Sequence, residues 1–448
     1  MLRARGYRSF LVVMMVVLII AAVSGCSKNT NKPGAGTIDW DNHDQRAEQF
    51  VLALVNGDFS EAAEGFNAEM RQALSVIDLE KAWEDTIANA GAYISIEEVT
   101  MDPHDEYDIY QVISNHQRFK VNSRIVFSED GLVAGLFFSF VENPDAGRLT
   151  PTRGEGYTEI PVIVGQGTDY PLMGIIAMPD NLSEKATAVV LVHGSGPQDM
   201  NSTAFGIPVF LDIADYLAQN GIAVLRYNKR TYAHGADLVA HYGDDLTVRE
   251  ETIDDALLAK ALLAQEESID ENRIFLLGHS LGGMLAPRIV AEGDFAGGII
   301  MAGSPRSLLD IIYDQNLYSI AQMDISEEEK AVLLAQVEEA RADYFTLPWI
   351  YINEMDEHPA ADYLTETEKP FLILHGAKDF QVTTEADFAL YQEIASDRPN
   401  IELRQYDQLN HLFTPSTMTN PTTDDYIPGT PVDTQPLADI VAWLKARF

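Results

Sequence analysis

The stretch RIFLLGHSLGGMLAP, residues 273–287, decides the fold. Its apolar run, residues 274–277, stops at Gly278, and helical spacing begins just after Ser280, which predicts a strand, a sharp turn and a helix. In a Gly-x-Ser-x-Gly turn the serine backbone is strained, and glycines two positions before and after it leave room for the strand and the helix. Gly278 and Gly282 fill those places. The pattern therefore predicts that Ser280 presents its hydroxyl at a helix N-terminus, as an acyl-transfer nucleophile must.

The C-terminal two thirds of the sequence have the pattern of an α/β domain. Short apolar runs alternate with longer helical patterns, which is typical of a mostly parallel sheet with helices on both faces. Eight strands are predicted, the first two as a leading antiparallel pair, at residues 159–164, 172–178, 188–192, 222–227, 274–277, 298–302, 371–374 and 401–406. A helical insertion at residues 304–367 interrupts the alternation, and a last helix is predicted at residues 437–448.

Three further motifs follow predicted strands. HGSGP, residues 193–197, follows an early strand; a strand and loop, FLILHGAKD, ends at Asp379; and NHLF, residues 410–413, follows the last strand. Together with the serine turn, these motifs resemble those of the α/β-hydrolase family, over residues 157–448. The resemblance extends to the branch containing acyl-ester and acyl-thioester hydrolases with inserted caps.

The resemblance implies a catalytic triad in the order serine, acid, histidine. A serine hydroxyl is a poor nucleophile until a base takes its proton, and the base needs a carboxylate to hold its tautomer. Ser280 is the predicted nucleophile, His411 the base and Asp379 the acid, with Asp407 as the reserve candidate for the acid. The alternative for Asp379 is a residue that only caps a turn or helix.

The predicted oxyanion hole consists of two backbone N–H groups, those of Leu281 and Ser195, with Gly196 as the alternative to Ser195. The insertion is expected to form a cap over the site, and the alternative is a solvent-exposed helical hairpin. No metal or organic cofactor is implied. The candidate substrate contacts are Arg230, Trp349 and Tyr351. For the first of these, a solvated arginine paired to a surface acid is the competing interpretation.

The N-terminus has the composition of a targeting segment. Three arginines precede an apolar run at residues 10–23, and the run ends in VSGC, which resembles the lipobox of bacterial lipoproteins. Cys26 is the only cysteine of the chain, which favours lipidation over an internal disulfide. Residues 1–25 are thus predicted to be a signal peptide and residues 26–39 a flexible tether. The expected location is extracytoplasmic, with the protein anchored to a membrane through Cys26.

Residues 40–148 are predicted to form a separate α+β domain. Helical patterns come first, and four segments with the alternation of strands follow them. NGDF, residues 56–59, and the segment from Trp83 to GAY, residues 91–93, resemble the cone-shaped NTF2-like domains that precede hydrolases in lipoproteins. A linker rich in proline and glycine at residues 149–156 is expected between the two domains.

The composition restricts the choice of partners. Against 69 acidic residues there are 30 Lys plus Arg, a net charge of −39, which disfavours nucleic acid as a partner.

Taken together, the motifs and the N-terminal segment predict a surface-anchored serine hydrolase, a carboxylesterase acting on a small acyl ester. An acyl-thioesterase, acyltransferase or peptidase would use the same triad. The alternative of another class is a non-catalytic, ligand-binding lipoprotein, and the sequence leaves the oligomeric state open.

Overall fold

The structure, a computed structural model, describes residues 45–447 except 91–92, 104–106, 117–119, 129, 142–151, 324 and 345–349. The predicted signal peptide, Cys26 and the tether lie outside the described residues. The chain divides into two compact units; the smaller ends at Thr152 and also takes in Ile160–Val162, and the larger comprises Arg153–Glu159 and Ile163–Phe448. No helix in the described part of the chain is both long and apolar enough to cross a membrane.

The smaller unit consists of helices followed by an antiparallel sheet, in the predicted order. Its elements are α1 (Arg46–Asn56), α2 (Phe59–Glu64), α3 (Ala68–Ala73), α4 (Val76–Ala90), β1 (Tyr93–Pro103), β2 (Tyr107–His116), β3 (Lys120–Ser128) and β4 (Val133–Val141). The strands pair in the order β1-β2-β3-β4. Along β3 every second residue is buried, because one face of the sheet packs on the helices and the other does not. The NTF2-like assignment stays a prediction.

Eleven described strands and ten described α-helices follow β4 in the chain. The strands are β5 (Thr152–Arg153), β6 (Tyr157–Val164), β7 (Leu172–Pro179), β8 (Ala186–Val192), β9 (Thr203–Ala204), β10 (Ile207–Pro208), β11 (Ile222–Tyr227), β12 (Ile269–His279), β13 (Gly298–Met301), β14 (Phe371–Gly376) and β15 (Ile401–Tyr406). The helices are α5 (Val209–Gln219), α6 (Arg230–Tyr242), α7 (Asp254–Leu263), α8 (Leu281–Glu292), α9 (Leu308–Gln322), α10 (Glu327–Tyr344), α11 (Ile350–Glu357), α12 (Ala360–Glu366), α13 (Ala389–Ala395) and α14 (Thr434–Lys445).

Nine of these strands form one sheet in the order β15-β14-β13-β12-β8-β11-β7-β6-β5. The six strands from β15 to β11 run parallel to one another, and β7 pairs antiparallel to β11. The sequence predicted eight strands, so the structure adds one to this sheet, β5, which lies inside the predicted linker. It also adds the separate pair of β9 and β10, and each of these three strands has two residues. A strand of two residues has no periodicity from which it could be predicted.

The sheet places five loops at one edge. Strands β8, β11 and β14 are buried over their whole length, which explains their continuous apolar sequences. Since β8, β11, β12, β14 and β15 are parallel, the loops after them all leave from the carboxyl edge of the sheet. Ligands of open α/β sheets bind at that edge.

Candidate active site

The serine turn joins β12 to α8 in a strained conformation. Ser280 has φ 54° and ψ −118° and stands directly before the first residue of α8. A non-glycine residue in such a conformation costs about 1–3 kcal/mol, which the surrounding structure must offset. A Cβ added at Gly278 would lie 2.1 Å from the carbonyl oxygen of Gly282, and one added at Gly282 would lie 2.2 Å from the carbonyl oxygen of Val192. Both positions therefore require glycine.

The predicted acid and base are in contact. His411 Nδ1 lies 2.7 Å from Asp379 Oδ2, and both side chains are buried. The other carboxylate oxygen, Oδ1, accepts hydrogen bonds from the backbone N–H groups of Gln381 at 2.8 Å and Val382 at 2.9 Å. An ionised carboxylate is an acceptor only, so Nδ1 of His411 carries the hydrogen and Nε2 is left free to accept a proton.

The loops that carry these two residues are joined by their backbones. Lys378 N donates to Leu409 O at 2.9 Å, one residue before the acid and two before the base. A Cβ added at Gly376 would lie 2.3 Å from Leu409 O, so this approach depends on glycine at the end of β14. The reserve acid, Asp407, is exposed, and the structure places Asp379 on the base instead.

The loop of the base is organised by a residue to which the sequence analysis assigned no role. Asn410 is fully buried, and its Oδ1 accepts from the backbone N–H groups of Leu412 and Thr414, both at 3.1 Å. Its Nδ2 donates to Asp425 Oδ2 at 3.0 Å. The amide of Asn410, directly before His411, thereby holds three groups that follow the base in the chain. An asparagine directly before the histidine was the only sequence signal for this role.

A second histidine holds the base loop to the serine turn. His279, directly before Ser280, is buried, and its Nε2 lies 2.9 Å from the backbone carbonyl oxygen of His411. Burial, and secondly the neighbouring His411, lower the pKa of His279 to about 4, so the ring is neutral and Nε2 donates. The turn and the base loop are thus connected by this bond. Within the part of the chain that the structure describes, no hydrogen bond joins Ser280 Oγ to His411, and such a bond is often long in enzymes without substrate.

The predicted oxyanion loop runs against the serine. A Cβ added at Gly194 would lie 3.1 Å from Ser280 Cβ, so the loop passes directly beside the nucleophile. Leu281 is the first residue of α8, where a helix leaves its backbone N–H without an intrahelical partner. Ser195 is exposed, and Gly196 has a positive φ of 79°. The ring of His193 is buried and donates through Nε2 to Asp199 O at 3.0 Å, and burial followed by the charge of Lys229 lowers its pKa to about 3.

Two of the three candidate substrate contacts, Arg230 and Tyr351, are hydrogen-bonded to carboxylates of the protein. Arg230 is buried, and its guanidinium donates to the carboxylate of Asp255 through two nitrogens. The competing interpretation was right that Arg230 pairs with an acid, but the arginine is not solvated and the acid, Asp255, is not on the surface. Tyr351 donates its hydroxyl to Glu251. Trp349 lies outside the described residues.

Lys229, the residue directly before Arg230, contacts the loop of the predicted oxyanion hole. Lys229 Nζ donates to Gly194 O at 2.9 Å and lies 3.0 Å from Glu251 Oε1. The sequence shows Lys229 only as part of a polar turn after β11, and nothing in the pattern indicates a contact 35 residues earlier in the chain.

The helical insertion contacts the loop of the acid. Tyr318 of α9 stacks on Phe380, the residue after Asp379, with ring centroids 5.6 Å apart. Gln315, on the same helix, donates to Gln381 O at 3.0 Å. The insertion therefore packs beside the predicted site. Among the described residues, no group of three or more His, Cys, Asp or Glu side chains could hold a metal ion.

Comparison with known proteins gives matches for both parts of the chain. Residues 189–429 match the α/β hydrolase family, and residues 47–136 match a family described as a protein of unknown function, DUF3887. The chain is 31% identical to the esterase EstD of Thermotoga maritima over 407 residues, 90% of this chain and 95% of that protein. Solved structures similar to it include an esterase of Pyrococcus furiosus, 18% identical with a TM-score of 0.43, covering 69% of this chain and 96% of the other. Another is Est1E of Butyrivibrio proteoclasticus, 16% identical with a TM-score of 0.39, covering 64% and 96%. The family match over more than half of the chain and the identity to EstD show that this chain belongs to the α/β-hydrolase family.

Proposed function

We propose that the chain hydrolyses carboxylic esters through an acyl-enzyme on Ser280. As Oγ of Ser280 attacks the carbonyl carbon, Nε2 of His411 takes its proton, and Asp379 stabilises the imidazolium that forms. The backbone N–H groups of Leu281 and Ser195 hold the negative charge that develops on the carbonyl oxygen. His411 then gives its proton to the leaving alkoxide. Water, deprotonated by the same imidazole, attacks the acyl-enzyme. As the bond to Oγ of Ser280 breaks, His411 returns the proton to Oγ and the carboxylic acid is released.

One observation carries this proposal, the buried contact of 2.7 Å between His411 Nδ1 and Asp379 Oδ2 beside the strained serine turn. The contact selects the tautomer in which Nε2 can act as a base. The carboxylate cannot rotate freely, because two backbone N–H groups hold its other oxygen. A residue that merely capped a turn would not need a histidine on its second oxygen.

An ester hydrolase of the carboxylesterase type is the enzyme class that the relationship to EstD supports, since the match covers nearly all of both proteins. The acyl-enzyme and the roles of single residues are the finer part of the proposal. The partly buried rings of Tyr318 and Phe380 beside Asp379 are consistent with an uncharged substrate group on that side.

Covalent labelling by a fluorophosphonate tests the nucleophile directly. We expect the wild-type protein to be labelled and the Ser280→Ala variant to lose labelling entirely. Ser183→Ala is the matched control, because Ser183 is exposed on a loop and should be dispensable for labelling. Absence of labelling in well-folded wild-type protein would favour a ligand-binding protein without catalysis.

Substrate preference separates the ester hydrolase from its rivals. We expect p-nitrophenyl esters of graded chain length to be hydrolysed with higher kcat/KM than an acyl-CoA thioester or a peptide amide. Much faster turnover of the thioester or of the amide would contradict the assignment to carboxylic esters. The chain-length series would also report how much acyl chain the site accommodates.

We also propose that Cys26 anchors the enzyme to a membrane on the extracytoplasmic side. The proposal depends on the VSGC sequence at the end of an apolar segment and on the absence of any other cysteine in the chain. Expression in a bacterium that processes lipoproteins should place the wild-type protein in the membrane fraction with a labelled fatty acid attached. The Cys26→Ser variant should lose the fatty acid, and retention of the label in that variant would refute the assignment.

A further inference from the structure

Lys229 is a charged side chain in the interior of the larger unit. Only 2% of its surface is exposed, and Glu251, its partner at 3.0 Å, is 7% exposed. Removing two charges from water is unfavourable, and a well-packed apolar pair is often at least as stable. Stability alone is therefore a weak reason for an ion pair at this place.

The turn that carries Lys229 is bonded repeatedly to the loop after β8. Asn228 Oδ1 accepts from Met200 N at 2.8 Å, and Lys229 N donates to Gln198 O at 3.0 Å. The third bond is from Lys229 Nζ to Gly194 O at 2.9 Å, and it is the one that reaches the residue beside Ser280. Because β11 is the parallel neighbour of β8, the turn after β11 supports the loop after β8 from the side.

The bond to Gly194 O determines which way the next N–H points. In a planar trans peptide the C=O and the N–H point in opposite directions. The peptide between Gly194 and Ser195 has its oxygen directed at the buried ammonium of Lys229, so its N–H is directed to the opposite side. We infer that Lys229 is a positioning residue for the oxyanion hole, holding the Gly194–Ser195 peptide so that the Ser195 N–H faces the reacting carbonyl oxygen.

Glycine at position 194 makes such a restraint necessary. A Cβ at position 194 would be in tight contact with Ser280 Cβ, which favours glycine there, and glycine allows the following peptide to rotate with little steric resistance. A rotation of the peptide would turn the carbonyl oxygen towards the substrate and the N–H away from it. The ammonium opposes this rotation, and its charge also polarises the peptide, which makes the N–H a stronger donor.

The same pair connects the loop with the helical insertion. Glu251, which holds Lys229, accepts a hydrogen bond from the hydroxyl of Tyr351 on α11. A chain of contacts thus runs from α11 through Glu251 and Lys229 to the peptide beside the serine.

The inference rests on the proposed ester hydrolysis, and the test compares kcat with KM. In Lys229→Met we expect kcat for a p-nitrophenyl ester to fall by about 10- to 100-fold, less than the cost of about 10²- to 10³-fold of deleting a donor outright. KM should change less than about threefold, because the lost interaction forms with the transition state. Ser280 Oγ adds to the carbonyl carbon of a trifluoromethyl ketone and forms a tetrahedral oxyanion. The inhibition constant of such a ketone should therefore rise by the same factor as kcat/KM falls.

Two further variants separate positioning from stability. Lys229→Met/Glu251→Met replaces the whole ion pair by apolar side chains, which should restore folding but leave kcat low. Asp255→Asn breaks the neighbouring buried pair with Arg230 and touches neither Gly194 nor its loop, so kcat should stay within about threefold of wild type while stability falls. Recovery of kcat in the double variant would overturn the inference.

Crystal structures of the wild type and of the double variant provide a readout without activity. We expect the Gly194–Ser195 peptide to be rotated or to occupy two orientations in the variant. An unchanged, single orientation would overturn the positioning role. If the wild type neither hydrolyses esters nor reacts with fluorophosphonate, the proposed function fails, whereas the orientation of this peptide still decides whether Lys229 positions it.

Discussion

Replacing the predicted acid by asparagine gives a quantitative test of the triad. In Asp379→Asn the two backbone N–H groups of Gln381 and Val382 still require an acceptor, and the amide oxygen is the only one that the new side chain has. The amide NH₂ must then face His411 Nδ1. A donor at that place selects the tautomer with hydrogen on Nε2, so the imidazole cannot take the proton of Ser280.

The expected loss of kcat is large, although asparagine has nearly the same shape as aspartate. The wrong tautomer lowers kcat by about 10⁴-fold in serine hydrolases that lose the acid in this way. This factor corresponds to about 5 kcal/mol of transition-state stabilisation. The loss should appear in kcat rather than in KM, because Asp379 is buried beneath His411 and its proposed role is to orient the base.

The assay is the steady-state hydrolysis of a p-nitrophenyl ester by wild type, Asp379→Asn and Asp407→Asn. Asp407 is exposed and was the reserve candidate, so its variant should retain nearly full activity. A decrease of less than about tenfold in Asp379→Asn would refute the tautomer argument. A large decrease in Asp407→Asn would identify the wrong acid.

Three other predictions concern the surroundings of the triad. Gly278→Ala places a Cβ 2.1 Å from Gly282 O and should lower the free energy of unfolding by more than about 4 kcal/mol in urea denaturation. Gly235→Ala is the control, because its Cβ would meet no atom within 4 Å apart from its chain neighbours and the backbone of its own helix, and it should change this free energy by less than about 1 kcal/mol. The pKa of His279 is lowered from 6.5 to about 4, so its neutral form contributes stability above pH 6.5 that is lost as the pH falls towards 4. Between pH 7 and pH 5 this loss is about 2 kcal/mol, and it should be absent from His279→Gln, whose unfolding free energy should depend less on pH. Asn410→Ala leaves two backbone donors unpaired and should lower the unfolding free energy by about 3 kcal/mol and reduce kcat; unchanged kcat in folded protein would contradict its role in the base loop.

The sequence by itself predicted those elements of the candidate site that depend on a local pattern of residues. The serine turn is encoded within five consecutive residues, because the backbone of Ser280 can pass between strand and helix only with glycine at 278 and 282. The positions of the main strands along the chain followed from apolar runs, since buried parallel strands need continuous apolar sequence. Asp379 and His411 were predicted because each follows a predicted strand in the order that the resemblance to the α/β-hydrolase family implies, and the carboxyl ends of parallel strands lie at one edge of a sheet.

Only the tertiary structure decided which side chains meet across distant segments. A pattern along the chain contains no information on whether Lys229 or Arg230 reaches the loop beside the serine, because both follow the same strand. The structure directs Lys229 to Gly194 and Arg230 to Asp255, contacts that depend on the rotation of the turn and on what lies opposite it in space. The bond between Asn410 and Asp425 is of the same kind. Such pairings form between elements brought together by folding, and their partners cannot be identified from spacing along the chain.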